Sequence, residues 1–168
     1  MITPSYCALM ARYNAWQNSE LFTALDPAPA EEVVADRGAF FGSILGTLNH
    51  ILWADQIWMS RFDERFAKPD GGIPESPLLC PDYPAWRDER ASMDARTAEW
   101  AAGLSHEDLA GDVAWYSGAA ERDVVKPRAF CISHMFNHQT HHRGQVHTMM
   151  TSAGFTGNTS DLFLIPEI

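Results

Sequence analysis

Five of the chain's seven histidines lie between His134 and His147. The surrounding pattern, from Pro127 to about Ala153, predicts one long helix. Residues four apart stack on one face of a helix, a turn apart. His134, His138 and His142 therefore form a ladder, and imidazoles at that spacing can both reach a single metal ion. Helical phase separates the rungs. With His134 at zero and about 100° per residue, Cys131, Ile132, Met135, Val146, Met149 and Met150 fall between about 60° and 160°, the expected buried face. His142 lies inside that arc at about 80° and His138 at its edge at about 40°. His134 at about 0°, His141 at about 340° and His147 at about 220° fall outside it. Two readings of the inward pair stand side by side. Each ring makes an ordinary hydrogen bond in the core, or the two share a metal.

Composition narrows what such a site serves. A chain of 168 residues with 46% hydrophobic content suits one domain with a sizeable core. The formal net charge of -10, from 22 acidic and 12 basic residues, disfavours nucleic acid and anionic membranes as direct partners. The N-terminus lacks a basic segment followed by an apolar stretch, and no apolar run approaches a membrane span. Cys7, Cys80 and Cys131 are odd in number and lack CxxC spacing, so they read as reduced thiols of a cytoplasmic protein.

Four long segments must position the histidines. The first helix runs from Ser5 to about Leu25, with Leu9, Tyr13, Trp16 and Leu21 as its apolar stripe and Asn14 and Asn18 beside it. Asp26-Pro27-Ala28-Pro29 stops it, and residues 30 to 37 form a polar, acidic connection. The second helix runs from about Ala39 to Phe62 and is apolar around much of its circumference, including Phe40 and Phe41. It carries His50, away from the centre of the apolar arc, and Asp55 within it. Asp55 reads either as a carboxylate satisfied by Tyr13 or Asn14 of the first helix, or as a functional acid or base. Trp53 and Ile57 lie off the main stripe, a surplus face that suggests a homodimer.

Residues 67 to 82 form a Pro- and Gly-rich loop of the kind that covers a site or an interface. The third helix spans about Tyr83 to Ala102. Trp86, Met93, Thr97 and Trp100 face inward, and Arg87, Asp88, Glu89 and Arg90 face solvent. Asp112 to Lys126 alternates around a Ser117-Gly118 turn and predicts a small hairpin. Pro127 opens the last helix and Gly154 closes it. The tail is expected to pack back through Leu162, Phe163, Leu164 and Ile165. The whole is an all-α fold: a four-helix bundle with a small hairpin before its last helix.

Three segments converge on a known family. They are Tyr13-Asn14-Ala15-Trp16-Gln17-Asn18; His50-Ile51-Leu52-Trp53-Ala54-Asp55 with Trp58 after it; and Asn137-His138-Gln139-Thr140-His141-His142-Arg143-Gly144-Gln145. On these the chain resembles the DinB-like metalloenzymes, a bacterial family of metal-binding four-helix bundles. The resemblance implies one ligand from the second helix and two, four apart, from the last. The matching positions are His50, His138 and His142. Helical phase selects the last two independently, whereas His50 rests on the resemblance. A homodimer is also implied.

Three neutral imidazoles leave at least one coordination position for water or substrate, the arrangement of a catalytic metal site. Such a metal polarises an oxygen, activates water or binds a thiolate. Zinc, nickel, iron and copper all suit imidazole, with zinc favoured by availability and nickel by loading from an affinity resin. Cys131 precedes His138 by roughly 10 Å and His142 by roughly 16 Å along the axis, too far to share their metal. His134 and His141 read as flanking groups, at the site mouth or behind the ligands. The expected function is metal-dependent hydrolysis, or the thiol transfer that the resemblance implies for some relatives, on an unidentified small molecule. The alternative is a non-catalytic metal or small-ligand binding protein of a stress response.

Overall fold

The computed structural model describes residues 2–167. In chain order its elements are α1 (Pro4–Leu25), α2 (Ala30–Val34), α3 (Ile44–Phe62), α4 (Tyr83–Ala102), β1 (Asp112–Ser117), β2 (Arg122–Pro127) and α5 (Arg128–Ser152). The four long helices form the expected bundle. α1 packs on α4, α4 on α3, α3 on α5, and α5 back on α1. The connections from α1 to α3 and from α4 to α5 thus cross the bundle's diagonals. β1 and β2 form the antiparallel hairpin, with Trp115 opposite Val124.

Local chemistry sets the helix starts. Thr3, Ser43 and Asp82 cap α1, α3 and α4 by accepting from the backbone N–H groups of Tyr6, Gly46 and Ala85. The short α2 occupies residues expected to be only a connection. α3 begins at Ile44 rather than near Ala39, because Gly42 is left-handed (φ 76°) and Ser43 then caps the helix. Phe40 and Phe41 precede the helix instead of lying on its stripe; Phe40 is exposed. The turn passes so close to α3 that a Cβ at Gly46 would come within 2.3 Å of the Phe41 carbonyl oxygen.

Every residue from Ile44 to Asp55 is buried. Trp53 and Ile57 are covered within the chain, at 8% and 7% exposure, in a small cluster with Ala54 and Leu79. The Trp53 indole donates to the Asp70 carbonyl oxygen at 3.2 Å. The loop between α3 and α4 covers the face expected to be surplus. Asn49 fastens this loop through the carbonyl oxygens of Pro77 and Cys80 and the Cys80 N–H.

Polar side chains fill the middle of the bundle. Arg90, expected in solvent, is 2% exposed and donates to Asp55 at 2.5 Å. It also pairs with Asp94 at 2.8 Å, which accepts from Asn18. Gln139 donates to the other Asp55 oxygen at 2.6 Å. Asp55 is therefore satisfied from α4 and α5, not by Tyr13 or Asn14 of α1. Asn14 instead accepts from Arg143 at 2.6 Å. Leu9 of the proposed α1 stripe is partly exposed, and the inward positions include Cys7, Ala11, Asn14, Asn18, Leu21 and Leu25.

The tail also differs from expectation. Leu162, Phe163 and Leu164 are exposed. Polar contacts hold it: Tyr13 and Gln17 each donate at 2.7 Å, to the carbonyl oxygens of Ser160 and Thr159. Among the described residues, no helix is long and apolar enough to cross a membrane.

Candidate metal centre

The contact between α3 and α5 brings His50 against the inward pair of the last helix. His138 Nε2 lies 3.2 Å from His50 Nε2 and 3.1 Å from His142 Nε2. One ligating atom from each of the three rings lies within 4.8 Å of the others. His50 is buried, and His138 and His142 are half-buried.

Hydrogen bonds fix which nitrogen of the outer two rings faces the cluster. Ser76 Oγ donates to the Ile73 carbonyl oxygen at 2.7 Å, so it accepts from His50 Nδ1–H at 2.8 Å. His142 Nδ1–H donates to Gln145 Oε1 at 2.7 Å, while the Gln145 amide nitrogen lies toward His141 at 3.4 Å. Both rings thus turn an unprotonated Nε2 toward His138. A hydrogen bond that commits the outer imidazole nitrogen orients the ring and raises its basicity as a ligand. Metal-free, His138 can donate to only one of its two neighbours, and its own Nδ1 is buried without a partner.

The spacing suits a metal. Nitrogens bound at roughly 2.0–2.1 Å to a tetrahedral zinc lie about 3.3 Å from one another. Two of the three separations, 3.2 and 3.1 Å, are close to that edge length, and the third is within 4.8 Å. Burial, reinforced by the neighbouring imidazole of His142, pulls His50 down to about 4. Burial and then the surrounding histidines pull His138 down to about 3. Burial lowers His142 as well, with Gln145 acting in the opposite sense. Neutral imidazoles are the form that binds metal.

One side of the cluster is closed by Phe41, whose ring stacks on His50 at 3.9 Å and meets His142 edge-on at 5.5 Å. The other side opens into a cavity of about 390 Å³, bounded by α3, the loop after it, the hairpin and α5. His134 lines that cavity and packs against Trp58, and His141 lies edge-on to His142. Both flank the cluster as expected. His147 is elsewhere, with Nδ1 3.2 Å from Asn158 Oδ1. The cysteines are buried and free, and burial pushes the Cys7 and Cys80 thiols up to about 11.

Sequence reasoning passed over Ser76, Phe41 and the hairpin as parts of this site. Ser76 and Phe41 lie outside regular helix and give no periodic signal. Gln145 carried one, since it lies three residues after His142 on the same helical face.

A model of the DinB family matches residues 1–167. The chain belongs to the DinB family. A DinB-like protein from Bacillus cereus, known from its crystal structure, shares the fold: TM-score 0.64, 19% identity, with 88% of this chain and 90% of that one covered. Comparison with curated proteins gives no match. DinB membership and a three-histidine group that could hold a metal thus stand together, on the bundle the sequence predicts.

Proposed function

We propose that the protein is a metal-dependent enzyme of the DinB family, a hydrolase or a thiol transferase. In this reading His50, His138 and His142 hold one divalent transition metal, zinc or nickel. The observation that carries the reading is the convergence of three imidazole nitrogens at the end of a cavity, two with their outer nitrogens already committed to Ser76 and Gln145. When bound, such a metal supplies Lewis-acid polarisation of a substrate oxygen or lowers the pKa of a thiol or water.

The chain's own groups do the rest. Ser76 and Gln145 keep two rings from turning. Phe41 excludes water from one flank. Trp53, Ala54 and Ile57 give the cavity an apolar wall beside His50. His134 is held below its ordinary pKa by partial burial and then by the Arg61 charge. It is a neutral imidazole at neutral pH, able to take or return a proton for a molecule in the cavity.

The test is metal analysis of protein purified without an affinity tag. A screen against activated esters, amides and phosphoesters follows, together with thiol transfer to an electrophilic aryl halide. The expected result is turnover that chelation abolishes, metal restores and His138→Ala lacks. Full metal occupancy with no turnover across the panel would reject the enzyme reading and leave a non-catalytic metal-binding protein.

A further inference from the structure

The cavity beside the three histidines has a charge character opposite to that of the chain. The protein carries a formal net charge of -10, yet among the described residues no Asp or Glu lines this cavity. Its walls carry two cations, Arg61 and Lys68. The ion pairs among the described residues engage Arg37, Arg65, Arg87 and Arg90, and neither of these two.

Arg61 is built in. Its guanidinium carbon lies 4.5 Å from the centre of the Trp58 ring and 5.2 Å from that of Trp115, and the two indoles meet edge-to-face at 5.2 Å. Packing against the two indoles restrains the guanidinium while leaving N–H groups free to donate. A half-buried guanidinium with no carboxylate partner in a strongly acidic protein is a site for an anion brought by a ligand.

The geometry also sets the ligand's length. His50, Ala54, Ile57 and Arg61 follow one another along α3 and all line the cavity. Arg61 comes eleven residues after His50, roughly 16 Å along the axis. It leans back a turn over Trp58, which shortens that span. Trp53, Ala54 and Ile57 make the stretch between them apolar. The volume of about 390 Å³ is ordinary for a small-molecule site.

We propose that the cavity takes an elongated small-molecule anion, its carboxylate held by Arg61 where it packs against Trp58 and Trp115, its apolar body along Trp53 and Ile57, and its far end toward the histidines. This deepens the enzyme reading and, as a statement about substrate, rests on it. Lys68, exposed at the loop, adds to the positive field.

The probe is 4-phenylbutyrate, compared with the neutral 4-phenylbutanol and the cationic 4-phenylbutylamine. Binding is followed by tryptophan fluorescence and calorimetry on zinc-loaded and chelator-stripped wild type, Arg61→Gln and Arg61→Lys. The expected result is a carboxylate preference over the alcohol of roughly tenfold or more and no measurable binding of the amine. Arg61→Gln should lose the preference, Arg61→Lys should keep part of it, and stripping the metal should leave it within about threefold. Equal binding of acid and alcohol by wild type overturns the proposal, whatever the variants do. A preference that survives Arg61→Gln but disappears on stripping also overturns it, because the metal then holds the carboxylate; the metal reading stands in that case. An Arg61-dependent preference in a protein that takes up no zinc supports the anion site and removes the metal reading instead.

Discussion

Two of the polar clusters inside this bundle are built on opposite principles. In the first, Asp55, Arg90, Asp94, Gln139 and Asn18 pair donor with acceptor and positive with negative charge. In the second, His50, His138 and His142 turn like groups toward one another. The first pairs its buried charges, one guanidinium between two carboxylates that also accept from neutral amides. The second has nitrogen facing nitrogen across two of its three contacts; buried atoms without a partner occur in both, at Arg90 Nε and Gln139 Oε1 in the first and at His138 Nδ1 in the second. They are close neighbours in sequence: Asp55 follows His50 on α3, and Gln139 follows His138 on α5. Adjacent positions on the same two helices thus divide between a charge-paired cluster and a cluster of imidazoles that could hold a metal.

The contrast is most easily broken by substitution. Asp55→Ala leaves Arg90 buried with one partner fewer, and loss of one member of a buried pair costs about 3–5 kcal/mol. Urea unfolding should show that loss. His138→Ala in metal-free protein should change stability by less than about 1 kcal/mol in either direction, since it removes a group with no satisfied bond at Nδ1. Equal losses in the two variants would mean that both clusters are structural.

Acid should act on the histidine cluster first. The folded-state values of His50 and His138, about 4 and about 3, lie below the ordinary 6.5 of an unfolded chain. Between those limits the unfolded state binds more protons. Stability from the neutral rings is therefore full above pH 6.5 and falls as pH drops toward 4 and 3. Metal-free wild type should lose stability from about pH 6.5 to 5, and His138→Ala should lose less over that interval. Parallel curves would contradict the assignment. For the same reason, metal binding should persist below the ordinary imidazole value of 6.5 and be lost as the pH approaches 4.

The hydrogen bonds behind the rings give a smaller effect. Ser76→Ala frees His50 Nδ1 and should weaken metal binding by roughly ten- to a hundredfold, with little change in the metal-free melting temperature. A competition titration against a chromophoric chelator measures the first, and a thermal melt the second. Unchanged affinity would show that Ser76 merely fills space.

How legible this was in the sequence depends on periodicity. His138 and His142 were found by helical phase, because Cys131, Ile132, Met135, Val146, Met149 and Met150 mark one buried arc on α5 and so fix where its other side chains point. His50 lies on a helix buried almost all round, where phase carries no information, and only the resemblance named it. Arg90 was misread because the run from Arg87 to Arg90 looks solvated. Its spacing from Trp86, Met93, Thr97 and Trp100 nevertheless puts it on the inner face. The apolar run at Phe40-Phe41 looked helical until Gly42 and Ser43 were recognised as turn and cap. Ser76 and the exposed tail depend on contacts between distant segments, which no local pattern encodes. The bundle itself and the hairpin were readable, since both rest on local period and turn chemistry.

The central claim is that three histidines, and not the others, hold one metal ion. Elemental mass spectrometry of tag-free wild type, His50→Ala, His138→Ala, His142→Ala and His147→Ala, prepared identically, tests it most directly. About one divalent ion per chain is expected in wild type and in His147→Ala, with sharply reduced content in the other three. Metal lost from His147→Ala but kept by His138→Ala and His142→Ala would contradict the account.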